Sequence, residues 1–194
     1  MISIEIINEL AEKDTVFKYN NTVAIGITKK ILCDIGLPRS VAPYIDFSSE
    51  DEGGGQYLSS YFNLSQSGDQ YTDKEIKHIK NKFKNYIYLG NLNSGEIIVI
   101  DDTEEIVLID HEDLSESFVN SNLNSFLLCI YEYYKFIKLI KSRFGVDVFI
   151  EDVAEINDVE ALKEKLLKID LSISKYEGFW IEELEELIEE IEER

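Results

Sequence analysis

The stretch NYIYLGNLNSGEIIVIDDTEEIVLID, residues 85–110, holds three β-branched and aromatic runs parted by two polar breaks, NLNSG and DDTEE. Short apolar runs divided by a few turn-forming residues have the spacing of an antiparallel meander. IIVI and IVLI are apolar at every position, whereas a strand with one wet face alternates apolar and polar residues. The strands are therefore expected to be central, with helices packed over the sheet.

The natural cover lies downstream. In SESFVNSNLNSFLL, residues 115–128, Asn-Ser-Asn precedes apolar residues at helical spacing: Leu123, Phe126, Leu127, Ile130, Tyr134 and Ile137. Asn and Ser side chains accept hydrogen bonds from the free N–H groups of a helix's first turn, so Asn120 and Ser121 read as a cap rather than as catalytic groups. A long helix from residue 123 to about 141 follows. NDVEALKEKLLKI predicts another, capped by Asn157 or Asp158, with Val159, Leu162 and Leu166 inward.

Upstream, Ile6, Ile7, Leu10 and Ala11 predict a short opening helix, and TVAIGI, residues 22–27, reads as a strand. Thr28 is placed to cap a short helix through Ile35. Gly36 stops it and Pro38 prevents continuation. EDEGGGQY has neither a P-loop lysine nor GxGxxG spacing and reads as a mobile acidic surface loop. Thr72 and Glu75 have capping-box spacing before Ile76, Ile79 and Phe83, which leaves His78 off the apolar face. VDVFIEDV is expected to add a strand or a loop.

The C-terminal helix, about residues 178–193, carries Trp180, Leu184, Leu187, Ile188 and Ile191 on one stripe, and nearly everything else is Glu. From Glu177 onward nine glutamates meet one arginine, too few cations for i,i+4 pairing. A solvated face accounts for them, as does a basic partner whose docking relieves their repulsion.

Whole-chain composition narrows the function classes. At 194 residues the chain fits one domain, 1–194, and its 44% apolar content argues against disorder. With 39 acidic and 19 basic residues the formal charge is -20, which repels nucleic acid and anionic membranes and favours basic partners. Cys33 and Cys129 lack zinc-type spacing and read as buried thiols. A start without a basic secretory leader and the absence of any membrane-length apolar run predict a cytoplasmic protein. HExxH, GxSxG, CxxC and Walker patterns are absent. His111 with Asp110, Glu112 and Asp113 is the one cluster that could be drawn as a metal or acid/base site, but neighbouring residues at a strand end point apart. No metal, cofactor or catalytic residue is expected.

Taken in order, ILCDIGLP, YIYLG, GEIIVIDDTEEIVLID, SFVNSNLNSFL and KIDLSISKYEGFWIEELEE resemble the SUKH superfamily, and its fourth subfamily most. The matching residues are Gly36, Leu37, Pro38, Gly90, Asp101, Asn120, Ser121, Ile169, Asp170 and Trp180, within roughly residues 31–186. Two departures stand out: NSN where the pattern usually has a second Ser, and DDTEE without the usual Gly.

That resemblance implies an α+β domain with a twisted mixed or antiparallel sheet flanked by helices. It also implies an immunity protein of a bacterial polymorphic-toxin system, which binds a cognate toxin domain, often a nuclease or deaminase, and blocks it. A toxin acting on nucleic acid needs a basic surface, which a -20 protein meets with steered binding. Three acidic patches with aromatic neighbours are the expected contacts. They are the loop with Glu50, Asp51, Glu52, Tyr57 and Tyr61; the hairpin tip with Asp101, Asp102, Glu104 and Glu105; and the last helix with Glu182, Glu186 and Glu189. The rival reading is a cytoplasmic regulatory or scaffold domain of the same fold; a carboxylate hydrolase using Asp110, His111 or Glu112 ranks third.

Overall fold

A computed structural model of the chain describes residues 1–12, 14–60, 73–175 and 178–194. Its centre is a six-stranded antiparallel sheet in sequential order: β3 (Ser40–Val41), β4 (Ile45–Phe47), β5 (Ile87–Leu92), β6 (Ile97–Ile100), β7 (Ile106–Ile109) and β8 (Glu116–Asn120). The predicted meander is β5 to β7. Ile98 faces Leu108 and Val99 faces Val107 across the β6–β7 pair. Period-two alternation then splits each apolar run between two cores. Ile98, Ile100, Ile106 and Leu108 join the larger core, while Ile97, Val99, Val107 and Ile109 join a smaller one with Leu58, Ile79 and Phe83. Helix α3 (Asp73–Lys82) supplies Ile79 to the second core.

The larger core is closed by α1 (Ile4–Ala11), α4 (Leu123–Phe144), α6 (Ile156–Ile169) and α7 (Phe179–Glu192). Asn122 caps α4, its side chain accepting from the Ser125 N–H at 2.9 Å. Leu123, Phe126, Leu127 and Ile130 are buried, as are Val159, Leu162 and Leu166 of α6 and Trp180, Leu184, Leu187 and Ile191 of α7. The DDTEE turn closes without glycine because Glu104 takes the left-handed backbone itself, at φ 68°.

Several local expectations are corrected. TVAIGI is not a strand: Val23 N–H and the Thr22 hydroxyl both donate to Gly55 O, isolated contacts rather than a ladder, and α2 (Gly26–Lys30) begins inside it. Thr28 is therefore buried within that helix and caps nothing. The helix widens into a π turn, Ile31–Ile35, and ends where Gly36 donates its N–H to Ile31 O. Gly36 has φ 93°, and a Cβ there would stand 2.6 Å from Phe17 O, so glycine is required for β1 (Val16–Phe17) to pair with β2 (Leu37–Pro38).

The glycines of EDEGGGQY are buried rather than at the surface. A 3-10 turn, Glu50–Glu52, leads into buried Gly53, Gly54 and Gly55, and Gly55 N–H donates to Tyr88 O. Gly90 lies inside β5 beside a bulge; a Cβ there would stand 2.1 Å from Asp46 O of β4. The segment VDVFIEDV contains a helical turn, α5 (Ile150–Val153). Helix α6 is capped by Glu155, in a capping box with Asp158, not by Asn157 or Asp158. Cys33 is half-buried, and Cys129 is buried. Tyr61 and Thr72 lie outside the described residues, as do the side chains of Glu75 and Ile76.

Candidate functional site

Asn120, at the end of β8, is fully buried and anchors a polar bridge through the larger core. Its Oδ1 accepts from Trp180 Nε1 at 2.8 Å, and its Nδ2 donates to Asp170 Oδ2 at 3.0 Å. The same Asp170 oxygen accepts from the Ser121 N–H at 2.7 Å and the Ser121 hydroxyl at 2.9 Å, while Oδ1 takes the Ser172 N–H at 3.1 Å. Burial pushes the Asp170 carboxyl up. The donors from Ser121, Asn120 and Ser172 outweigh it and hold the group below the ordinary aspartate range. This constellation ties β8 to the ends of α6 and α7, so Asn120 and Ser121 are not the helix cap expected of them, a place Asn122 takes, but the centre of a buried polar bridge.

Behind this bridge the core leads to the surface. The Trp180 ring lies 6.0 Å from that of Tyr133 on α4, and the Tyr133 hydroxyl donates to Glu183 Oε1 at 2.7 Å. Glu183 lines an open groove of about 570 Å³ walled by the β3–β4 hairpin, α4, α5 with its preceding segment, and α7. Five acidic residues line it, Asp46, Glu151, Glu183, Glu186 and Glu190, against one lysine, Lys141. Two aromatic residues on its wall stand out to solvent, Tyr44 at 69% and Phe149 at 68% exposure. Burial, then the charges of Glu186 and Glu190, raise the Glu183 carboxyl above its ordinary value against the pull of the Tyr133 bond. Glu190 is raised as well, by desolvation first and then by Glu151, Glu186 and Glu193.

The three sequence-predicted patches fare differently. Glu50 accepts from the Asn20 and Asn21 N–H groups and from Asn21 Nδ2, and Glu52 accepts from the Ser49 N–H at 2.7 Å. Both carboxylates hold their own loop in place, leaving Asp51 and Tyr57 exposed beside them. At the hairpin tip Asp101 Oδ1 accepts from the N–H groups of Thr103 and Glu105, both at 2.8 Å, so Asp101 organises the turn. Asp102 and Glu104 are exposed, and Glu105 is half-buried. Glu182, Glu186 and Glu189 are exposed on α7, and only Glu186 of them reaches the groove. Asn93 of the β5–β6 turn also lines the groove, so the DDTEE tip sits at the other end of β6.

Around His111 two of the three carboxylates are likewise spent on the turn. Asp110 Oδ1 accepts from the Glu112 and Asp113 N–H groups, and Asp113 Oδ1 from the Ser115 N–H. Among the described residues no group of His, Cys, Asp and Glu could hold a metal ion, and no helix is long and apolar enough to cross a membrane.

Compared with known protein families, residues 23–186 match the family described as SUKH-4 immunity protein. The chain belongs to the SUKH-4 immunity protein family. No curated protein and no solved structure matches it. Membership brings a toxin-immunity role and, with it, a cognate toxin protein as partner. The matched span of this SUKH-4 chain contains Gly36, Leu37, Pro38, Gly90, Asn120, Asp170 and Trp180, all buried, and half-buried Ser121. It also contains the groove except Leu187 and Glu190. Sequence reasoning missed Tyr44, Phe149, Glu183 and Glu190. The nearest signal was the glutamate excess of α7, which does not show which glutamates share a concavity.

Proposed function

We propose that the chain neutralises a cognate polymorphic-toxin domain by binding it in the cytoplasm, without catalysis of its own, and that the toxin acts on nucleic acid. The observation that carries this reading is the family match over residues 23–186, joined to a formal charge of -20. An enzyme that handles a polyanion presents a basic surface, and an acidic protein is steered onto such a surface and competes with the polyanion for it. The exposed acids Asp51, Asp102, Glu104, Glu182, Glu186 and Glu189 support it, as does Tyr57 at 41% exposure.

The test is a calorimetric titration against the C-terminal domain encoded immediately upstream, catalytically inactivated, at low and moderate salt. Tight binding that weakens as salt rises is expected. Absence of binding at both salts would overturn the reading in favour of an endogenous cytoplasmic partner.

A further inference from the structure

We propose that the groove between the β3–β4 hairpin and α7 takes an arginine or lysine side chain of the protein partner, its cation among Glu183, Glu186 and Glu190 and its stem against Tyr44 and Phe149. The proposal rests on the reading of the chain as a toxin binder and names the contact within it.

Three observations converge on such an occupant. The first is charge: five acidic residues against one lysine in a single concavity leave a negative field that a fixed cation relieves. The second is apolar surface without a partner. Tyr44 and Phe149 line the groove while two-thirds exposed, and the neighbouring chain also exposes Phe144 and Val146. An aromatic wall beside carboxylates suits a long side chain with an apolar stem and a charged head, and excludes water from the ion pairs it covers. The third is preorganisation, since Tyr133 fixes Glu183 from below and Trp180 backs Tyr133. A compact divalent ion fits less well, because among the described residues no acidic group converges closely enough to hold one. Asp102 and Glu104, by contrast, are exposed at a hairpin tip.

Two measurements decide it. In the first, isotopically labelled protein is titrated with N-acetyl-argininamide and followed by NMR. Shift changes confined to Tyr44, Phe149 and the Glu183–Glu190 segment, and lost in the Glu186→Gln, Glu190→Gln double variant, are expected. Changes spread evenly over all acidic surfaces, or none, overturn the proposal.

In the second, Phe149→Ala and Glu186→Lys are titrated against the upstream-encoded domain beside a Glu160→Lys control on the exposed face of α6. Each groove variant is expected to weaken binding by roughly tenfold or more, with the control changed far less. Wild-type binding that the groove variants retain in full sinks the groove and leaves the proposed function standing. If the wild type itself fails to bind, the proposed function falls, and the argininamide titration still decides the groove.

Discussion

Trp180 donates its indole N–H to the Oδ1 of Asn120 at 2.8 Å, and both side chains are cut off from water. The bond joins β8 to α7, so it couples the sheet to the helix that bears the acidic wall. Trp180→Phe keeps most of the ring's packing and strands the Asn120 carbonyl, which is expected to cost about 1–3 kcal/mol. Asn120→Ala strands the Trp180 N–H and removes one donor to Asp170, with a cost of similar or larger size. Because the two share one network, the double variant should lose less than the sum by about 0.5 kcal/mol or more. Urea unfolding of the four proteins measures this; strict additivity would show that the bond carries no coupling.

Asp170 gives this network a pH signature. Its folded-state carboxyl titrates below the ordinary aspartate value, held there by donors from Ser121, Asn120 and Ser172 against burial. The unfolded chain therefore takes up the proton first as pH falls. The stabilisation is complete above the ordinary aspartate value and is lost as pH drops through the lower, folded one. Asp170→Asn presents an amide N–H₂ to donors and should cost about 2–4 kcal/mol near neutrality. The gap from wild type should narrow in acid, measured by thermal melts from pH 7 downward. A gap that stays constant would mean that the charge on Asp170 is immaterial.

How much of this was legible in the sequence depended on whether a residue's neighbours in space were also its neighbours in the chain. IIVI and IVLI announced a sheet covered on both faces because alternation is a local property, and Ile97/Val99 and Ile98/Ile100 did part into two cores. TVAIGI has β-rich composition too, but its partner is the glycine segment around Gly55, which offers single contacts instead of a strand. Glu155 took the cap expected of Asn157 or Asp158 because helix ends are fixed by capping geometry that several neighbouring polar residues can supply. Asn120 and Ser121 were visible as polar residues out of place, and only Asp170, some 50 residues on, explains them. The groove was least visible, since the exposure of Tyr44 and Phe149 is a property of the assembled surface.

Gly36 tests whether the GLP motif is structural. A Cβ added there would meet Phe17 O at 2.6 Å and Val16 Cγ1 at 2.8 Å, in a backbone conformation that L residues avoid. Backbone and strand must separate to admit it. Gly36→Ala is expected to cost about 2–4 kcal/mol and to lower Tm by roughly 5–15 °C. Hydrogen exchange should quicken at Phe17, whose strand pairs with Leu37. An unchanged melt would remove the steric reading of this glycine.

Partner binding at the groove should strengthen as pH rises from the ordinary glutamate range. Glu183 is raised by burial and by Glu186 and Glu190, with the Tyr133 hydroxyl of α4 opposing; Glu190 is raised by desolvation and by Glu151 of α5, Glu186 and Glu193. Lys141 and Asp46 complete the charged lining. In the free protein these two glutamates hold protons at a pH where isolated glutamates have lost them. A docked cation favours the ionised form, so binding must release those protons. Affinity should then climb with pH between the ordinary glutamate value and the raised ones, by at most about tenfold per pH unit for each proton released. Above that window it should level off. Calorimetry in two buffers of different ionisation enthalpy counts the protons directly. Release that falls by about half in each of Glu183→Gln and Glu190→Gln would place the cation between them, whereas affinity that falls as pH rises would place the partner's charge elsewhere.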